Sequence, residues 1–184
     1  MKRIAFGFAV ASFALFAGTS SAQAQRPVSF GISAGAAMPN GDLGDGFSMG
    51  YNVAGSVGYS MPALPVSFRV DGMWNQLTEK NDTGVGLRTL GVNVNALYTL
   101  PGVAIRPYVL GGLGMYNSKA TGEGLDDVES STDMGINAGV GARFALSGFQ
   151  TFVEARFHNV FVKDDATDES SSARFIPLSF GIMF

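Results

Sequence analysis

The feature that most constrains this chain is a strict alternation of apolar residues with small, polar or charged ones. In the segment QTFVEARFHNVFV, residues 150–162, Glu154 and Arg156 alternate with Val153 and Phe157. Because successive side chains of a strand point to opposite faces, such a segment has one apolar face and one polar face. The alternation recurs in about eight segments, so we expect an all-β fold built from amphipathic strands.

The segments have the lengths of strands that cross a membrane. Most exceed the roughly 5–6 residues of an average soluble strand and approach or exceed the roughly 9–11 residues of a membrane-spanning one. No helical period of useful length appears after residue 24. The segments cover residues 28–38, 47–60, 66–77, 88–100, 105–117, 134–146, 149–162 and 174–184.

The connections alternate between short uncharged turns and long acidic loops. The short turns are residues 61–65, 101–104 and 147–148, and the long loops are residues 39–46, 78–87, 118–133 and 163–173. Short turns on one side and long loops on the other are typical of an outer-membrane barrel. An even number of strands then predicts that both termini lie in the periplasm.

Acidic residues are concentrated in the long loops, whereas a soluble barrel would scatter its charges along solvent-facing strand positions. Only Asp71 and Glu154 lie within predicted strands. The other 13 of the 15 acidic residues are Asp42, Asp45, Glu79, Asp82, Glu123, Asp126, Asp127, Glu129, Asp133, Asp164, Asp165, Asp168 and Glu169.

The two faces of each segment predict which side meets lipid. In segment 66–77, bulky Phe68 and Trp74 share one face, and Arg69 and Asn75 share the other. We expect the bulky face to contact lipid and the small polar face to line a narrow interior. An open edge in lipid would leave backbone groups unpaired, so the eight strands should close into an antiparallel up-and-down transmembrane β-barrel. The sequence does not predict which face of segment 105–117 points inward, because the glycines of this segment weaken the alternation.

Five charged residues fall on predicted interior faces. A lone buried charge is costly, whereas a hydrogen-bonded cluster is tolerated. We therefore predict one barrel-interior charge network, composed of Arg69, Asp71, Arg143, Glu154 and Arg156.

Residues 1–24 have the pattern of a cleaved signal peptide. A basic start, MKR, precedes the apolar run IAFGFAVASFALFAG, and Ala22-Gln23-Ala24 fits a signal-peptidase site. A membrane anchor is the alternative, but the apolar run is shorter than the roughly 20 residues of a spanning helix. We expect an exported protein whose barrel domain covers residues 25–184.

Composition excludes several classes of function. The chain contains no Cys, which excludes disulfides, a thiolate site and a lipoprotein anchor. Without Lys2 and Arg3, 10 basic and 15 acidic residues remain, a formal charge of −5. This balance argues against a nucleic-acid partner.

The export signal, the eight segments and the ending PLSFGIMF resemble small eight-stranded outer-membrane barrels of the OmpA-transmembrane, OmpX and opacity-protein type. The alternating Phe180, Ile182 and Phe184 resemble the carboxy-terminal signal read by the barrel-assembly machinery. The resemblance implies residence in the outer membrane, contact with its lipid and lipopolysaccharide, and loops that are available to an extracellular ligand. It does not imply an activity, because such barrels host adhesins, structural proteins and enzymes.

No pattern predicts a catalytic, cofactor or metal site. His158 is the only histidine, and lipid A deacylases, which are similar barrels, have a Ser two residues after their His, where this chain has Val160. The acidic DDATDES lacks the Gly and the spacing of an EF-hand loop. We expect a non-enzymatic barrel with a structural or surface-interaction role, its interior plugged by charged residues. A small pore, a lipid-modifying enzyme and a soluble periplasmic barrel are the alternatives.

Overall fold

The computed structural model describes residues 27–61, 64–80, 84–125, 128–146, 148–163 and 170–184. In this part of the chain, eight antiparallel strands form a closed barrel in which each strand pairs with its neighbours in sequence and the last pairs with the first. The predicted all-β, eight-stranded up-and-down architecture is thereby confirmed. The strands are β1 (Val28–Asn40), β2 (Phe47–Ser60), β3 (Val66–Glu79), β4 (Gly86–Thr99), β5 (Ile105–Thr121), β6 (Ser131–Ala145), β7 (Gln150–Lys163) and β8 (Ser170–Met183). The predicted signal peptide lies outside the described residues.

Backbone hydrogen bonds close the seam between the first and last strands. The Phe30 amide donates to the Phe184 carbonyl at 3.0 Å, and the Phe184 amide donates to the Phe30 carbonyl at 2.8 Å. Ile182 pairs with Ile32, and Phe180 pairs with Ala34. Of the predicted assembly signal, Phe180 and Ile182 lie in β8, which closes the barrel, and Phe184 directly follows the last residue of that strand.

The two faces of the strands divide as the alternation predicts. Outward side chains are mostly large, apolar and exposed to the surroundings, whereas inward ones are buried. The structure also fixes the facing of β5: Tyr108 and Tyr116 are buried inside, and Val109, Leu113 and Met115 point outward. The apolar outer face is therefore continuous around the barrel.

Outward aromatic residues lie toward both ends of the apolar band. We call the end that carries the termini and the short turns the terminal end, and the opposite end the loop end. Tyr59, Phe68, Tyr98 and Phe180 lie toward the terminal end, and Tyr51, Trp74 and Phe161 lie toward the loop end; all seven are exposed. Such belts are expected at the two water–lipid interfaces.

The structure differs from the sequence prediction at the loop end. A five-residue helix, α1 (Asp42–Gly46), lies in a segment predicted as loop, since five residues are too few to show a helical period. Several strands continue past the apolar band, so that Glu79 and Asp133 belong to strands. Backbone pairing persists there after the apolar alternation has ended. Nowhere in the described ranges is a helix long and apolar enough to cross a membrane.

Pro177 interrupts one ladder without shifting its register. Ala155 pairs with Leu178 and His158 with Phe175, and both pairs have the same register. The β7–β8 pairing is interrupted between them because a proline has no N–H to donate. On its other side, Pro177 still pairs with Ala37 of β1.

We predict that the cost of an outward cation depends on its depth. Val140 and Met134 both point outward from β6, with exposures of 59% and 64%, but Val140 lies near mid-strand and Met134 lies near the loop end. Val140→Arg should reduce the free energy of unfolding by about 2–4 kcal/mol and Met134→Arg by about 0–1 kcal/mol. Urea unfolding of the protein refolded into lipid vesicles measures both. Equal costs would contradict a lipid environment for this face.

Candidate functional site

The barrel interior is packed by setting large side chains opposite glycines. An added Cβ at Gly141 would meet the Tyr108 ring, and one at Gly181 would meet the Phe152 ring. The cross-strand pairs of a large inward residue and a glycine are Arg69–Gly58, Met73–Gly91, Asn95–Gly112, Asn93–Gly114, Tyr108–Gly141, Arg156–Gly139 and Phe152–Gly181. This arrangement makes room for side chains that a narrow barrel would otherwise exclude.

Four charged residues form a closed ring of ion pairs, which we call the charge square: Arg69, Asp71, Glu154 and Arg156. Arg69 Nε lies 2.8 Å from Asp71 Oδ1, and Arg69 Nη2 lies 2.9 Å from Glu154 Oε2. Arg156 Nη1 lies 2.9 Å from Asp71 Oδ2, and Arg156 Nη2 pairs with Glu154 Oε1. Each acid therefore meets both arginines, and the formal charges cancel.

Each acid of the charge square also accepts one hydrogen bond from a neutral donor. Asn95 Nδ2 donates to Asp71 Oδ2 at 2.7 Å, and the Tyr108 hydroxyl donates to Glu154 Oε2 at 2.7 Å. Charge-assisted bonds of this kind are stronger than neutral ones. The two carboxylates are thus fully enclosed by donors, which offsets the cost of burying them.

The charge square joins opposite walls of the barrel. Arg69 and Asp71 belong to β3, and Glu154 and Arg156 belong to β7, which is four strands away in a ring of eight. All four residues are at least nine-tenths buried. The ion pairs therefore cross the interior and constrain its width.

Arg143 lies outside the charge square, contrary to the prediction that it joins the network. Its guanidinium carbon stands 5.0 Å from the centre of the Tyr108 ring, a cation–π contact. It is absent from the ion pairs among the described residues, and its Nε is buried without a hydrogen-bond partner there. Both acids are already occupied by Arg69 and Arg156, so Arg143 is connected to Glu154 only through Tyr108.

A second, neutral layer lies on the loop side of the charge square. The Tyr116 hydroxyl donates to Asn93 Oδ1 at 2.5 Å and lies 2.8 Å from His158 Nδ1. Asn137 Nδ2 also donates to Asn93 Oδ1, at 3.3 Å. Since the Tyr116 proton is directed to Asn93, the contact with His158 is best satisfied if Nδ1 carries a proton and donates to Tyr116.

His158 is held as a packed interior residue. It is 1% exposed, and its ring stacks on Phe175 with 4.8 Å between centroids and 4° between planes. The next inward position of β7 is Val160, also buried. In this environment His158 has aromatic and amide neighbours and no adjacent nucleophile on its own strand.

An apolar layer closes the loop end of the interior. Met73, Tyr116, Val160 and Phe175 form a buried cluster, against which Leu43 of α1 packs.

Nearer the charge square, a cavity of about 20 Å³ remains beside Asp71 and Glu154, the size of roughly one water molecule. Among the described residues, no group of three or more His, Asp or Glu residues could hold a metal ion; most of DDATDES lies outside them.

Sequence reasoning identified the charges of this site but missed its neutral partners. Tyr108 and Asn95 contact the two acids, and neither was singled out. Tyr108 could not be assigned to the interior from sequence, because the glycines of segment 105–117 left its facing open. Asn95 could not be recognised, because its contact with Asp71 depends on the β3–β4 register.

We predict that removing one acid from the charge square strongly destabilises the barrel. Glu154→Gln leaves Arg69 and Arg156 sharing one carboxylate, and breaking a buried pair costs about 3–5 kcal/mol. Glu123→Gln, in an exposed loop, should change the free energy of unfolding by less than about 0.5 kcal/mol. Urea unfolding in detergent or lipid provides both values.

A double-mutant cycle then tests contact across the barrel. Combining Glu154→Gln with Arg69→Gln should recover part of the loss, with a coupling of about 0.5–3 kcal/mol between the two sites. Strictly additive effects would show that β3 and β7 are not joined through these side chains.

Comparison with solved structures agrees with the barrel fold. Neisserial surface protein A (NspA) is similar over 85% of this chain and 96% of its own, with a TM-score of 0.67 and 17% identity. The N-terminal β-barrel domain of Pseudomonas aeruginosa OprF covers 85% and 97%, with a TM-score of 0.50 and 19% identity. The outer membrane enzyme PagL covers 85% and 98%, with a TM-score of 0.52 and 16% identity. At these identities the likeness concerns the fold alone.

No curated protein sequence is significantly similar to the chain. Its residues 8–184 match the family described as outer membrane protein beta-barrel domain. The match covers almost the whole chain, including all eight strands. The chain therefore belongs to the outer-membrane β-barrel family.

Proposed function

We propose that this protein is exported through residues 1–24 and resides in the outer membrane as a closed, non-enzymatic barrel. Its role is structural or consists of surface contacts made by the acidic loops outside the cell. The observation that carries the proposal is the separation of the two charged regions. Acids inside the barrel are neutralised by arginines, whereas Asp42, Asp45, Glu123 and Glu129 at the loop end are exposed to solvent.

The loop end offers the surface for such contacts. Asp42, Asp45, Glu123 and Glu129 are all exposed there. A cluster of solvated carboxylates favours a cationic partner over an anionic one. The apolar wall provides the contact with lipid and lipopolysaccharide, and Phe180, Ile182 and Phe184 provide the signal for the barrel-assembly machinery.

We predict that the loop end faces the outside of the cell. The chain contains no Cys, so a single introduced thiol can be labelled without background. A membrane-impermeant maleimide added to intact cells should label Glu129→Cys, because Glu129 lies in an exposed loop. It should label Val103→Cys only after the outer membrane is permeabilised, although Val103 is 97% exposed in a short turn.

The two variants control for each other. Both positions are exposed, so a difference between them reports the side of the membrane and not accessibility within the barrel. Labelling of Val103→Cys alone in intact cells would reverse the orientation. Recovery of the protein in the soluble fraction without detergent would contradict membrane insertion.

Interior packing supports a closed barrel over a pore. The charge square spans from β3 to β7, and the cavity beside it holds about 20 Å³. On the loop side, Tyr116, His158 and Phe175 fill the cross-section. A hydrated ion would have to displace these side chains to pass.

We predict that the protein inserted into a planar bilayer shows no steady large-conductance state. The double variant Arg69→Ser with Glu154→Ser removes one cation and one anion, leaving Arg156 paired with Asp71 and the charge balanced. Its conductance should exceed that of the unchanged protein, because two long side chains no longer cross the interior. A steady open state of the unchanged protein would favour the pore.

The geometry around His158 argues against the enzymatic alternative. PagL is an outer membrane enzyme with a similar fold, so the fold is compatible with catalysis. Here the single histidine is 1% exposed, stacks on Phe175 and contacts Tyr116. A general base must reach the proton that it removes, and this ring is enclosed by side chains of the interior.

A further inference from the structure

Two arginines stand opposite each other at the terminal end of the interior. Arg106 of β5 and Arg143 of β6 are direct cross-strand partners. The next inward pair along the same strands is Tyr108 and Gly141, so both arginines belong to the interior face. Like charges placed directly opposite each other are unfavourable in a sheet.

The terminal end contains no side-chain acid that could neutralise this pair. The short turns, residues 61–65, 101–104 and 147–148, contain neither Asp nor Glu. The two interior acids are each bound to Arg69 and Arg156. Neither Arg106 nor Arg143 takes part in the ion pairs found among the described residues. The described part of the interior therefore has two uncompensated positive charges at one end.

Arg143 and Arg106 differ in burial, and this difference suits the binding of a ligand. Arg143 is partly buried, its Nε is enclosed without a hydrogen-bond partner, and its guanidinium is held over the Tyr108 ring. That ring is itself fixed by the hydrogen bond from its hydroxyl to Glu154. Arg106, by contrast, is exposed at the mouth. One donor is thus positioned in advance, and the other is reachable from outside the barrel.

We propose that Arg106 and Arg143 form a binding site for a phosphate oxyanion that enters from the terminal end, which the proposed orientation puts in the periplasm. A guanidinium donates two parallel hydrogen bonds to a phosphate, and two facing guanidinium groups can share one such anion. A bound anion brings negative charge to both guanidinium groups and offsets the repulsion between them. Inorganic phosphate and the phosphodiester headgroup of an inner-leaflet phospholipid share this chemistry.

The test is an NMR titration of the full-length mature protein, refolded in zwitterionic micelles with arginine labelled at ¹⁵Nε. Inorganic phosphate is one probe and a short-chain phosphatidylglycerol below its micelle concentration is the other. Chloride at matched ionic strength controls for screening. We expect saturable shifts of the Arg143 and Arg106 Nε–H resonances with at least one probe, and the probe that saturates at lower concentration identifies the source.

Variants decide whether these residues make the site. Arg143→Gln and Arg106→Gln should each weaken binding about tenfold or more, because each removes charge-assisted hydrogen bonds. Arg106 is exposed, so its variant remains informative if Arg143→Gln fails to fold. Arg174→Gln, whose parent side chain lies on the outer face and donates to Asn159, should leave the titration unchanged. Shifts no larger than those with chloride, or unchanged affinity in the Arg106 variant, would overturn the proposal.

Discussion

The closure of the backbone hydrogen-bond ring is the constraint on which the rest of this structure depends. In lipid, an unpaired strand edge leaves polar backbone groups unsatisfied, so β8 must return to β1. Eight strands then fix an interior that is just wide enough for side chains to fill. Several large residues fit there because a glycine stands opposite them on the neighbouring strand, as Gly141 does opposite Tyr108. The packing of the interior follows from closure.

The narrow interior of the barrel also determines how buried charges are neutralised. An interior this full has little space for water, so buried charges depend on other side chains for their partners. In the charge square, each carboxylate meets two guanidinium groups and one neutral donor. Burial of all four charges is tolerated because each one has several partners. Arg143 departs from this rule, because its buried Nε has no hydrogen-bond partner among the described residues.

Alternation was sufficient to predict most of the fold. It gave the number of strands and the facing of Arg69 and Glu154, because a period of two follows directly from strand geometry. It could not give contacts between side chains on different strands, which depend on register. Arg143 was therefore assigned to the acids, whereas its register puts it beside Tyr108. It also could not show α1 or the strand ends near Glu79 and Asp133, where apolar alternation has stopped but backbone pairing continues.

The pairing of large inward residues with glycines has a consequence for how this interior can change over evolutionary time. A bulky residue cannot appear at Gly141 unless Tyr108 becomes smaller, because the two side chains would share one space. Interior residues that face each other on neighbouring strands should therefore vary together. When one residue of such a pair becomes larger, the other should become smaller. The outer wall has no such coupling, since lipid adapts to each side chain separately. Substitutions at outward positions of this barrel should be independent of one another, whereas substitutions at inward positions should be correlated.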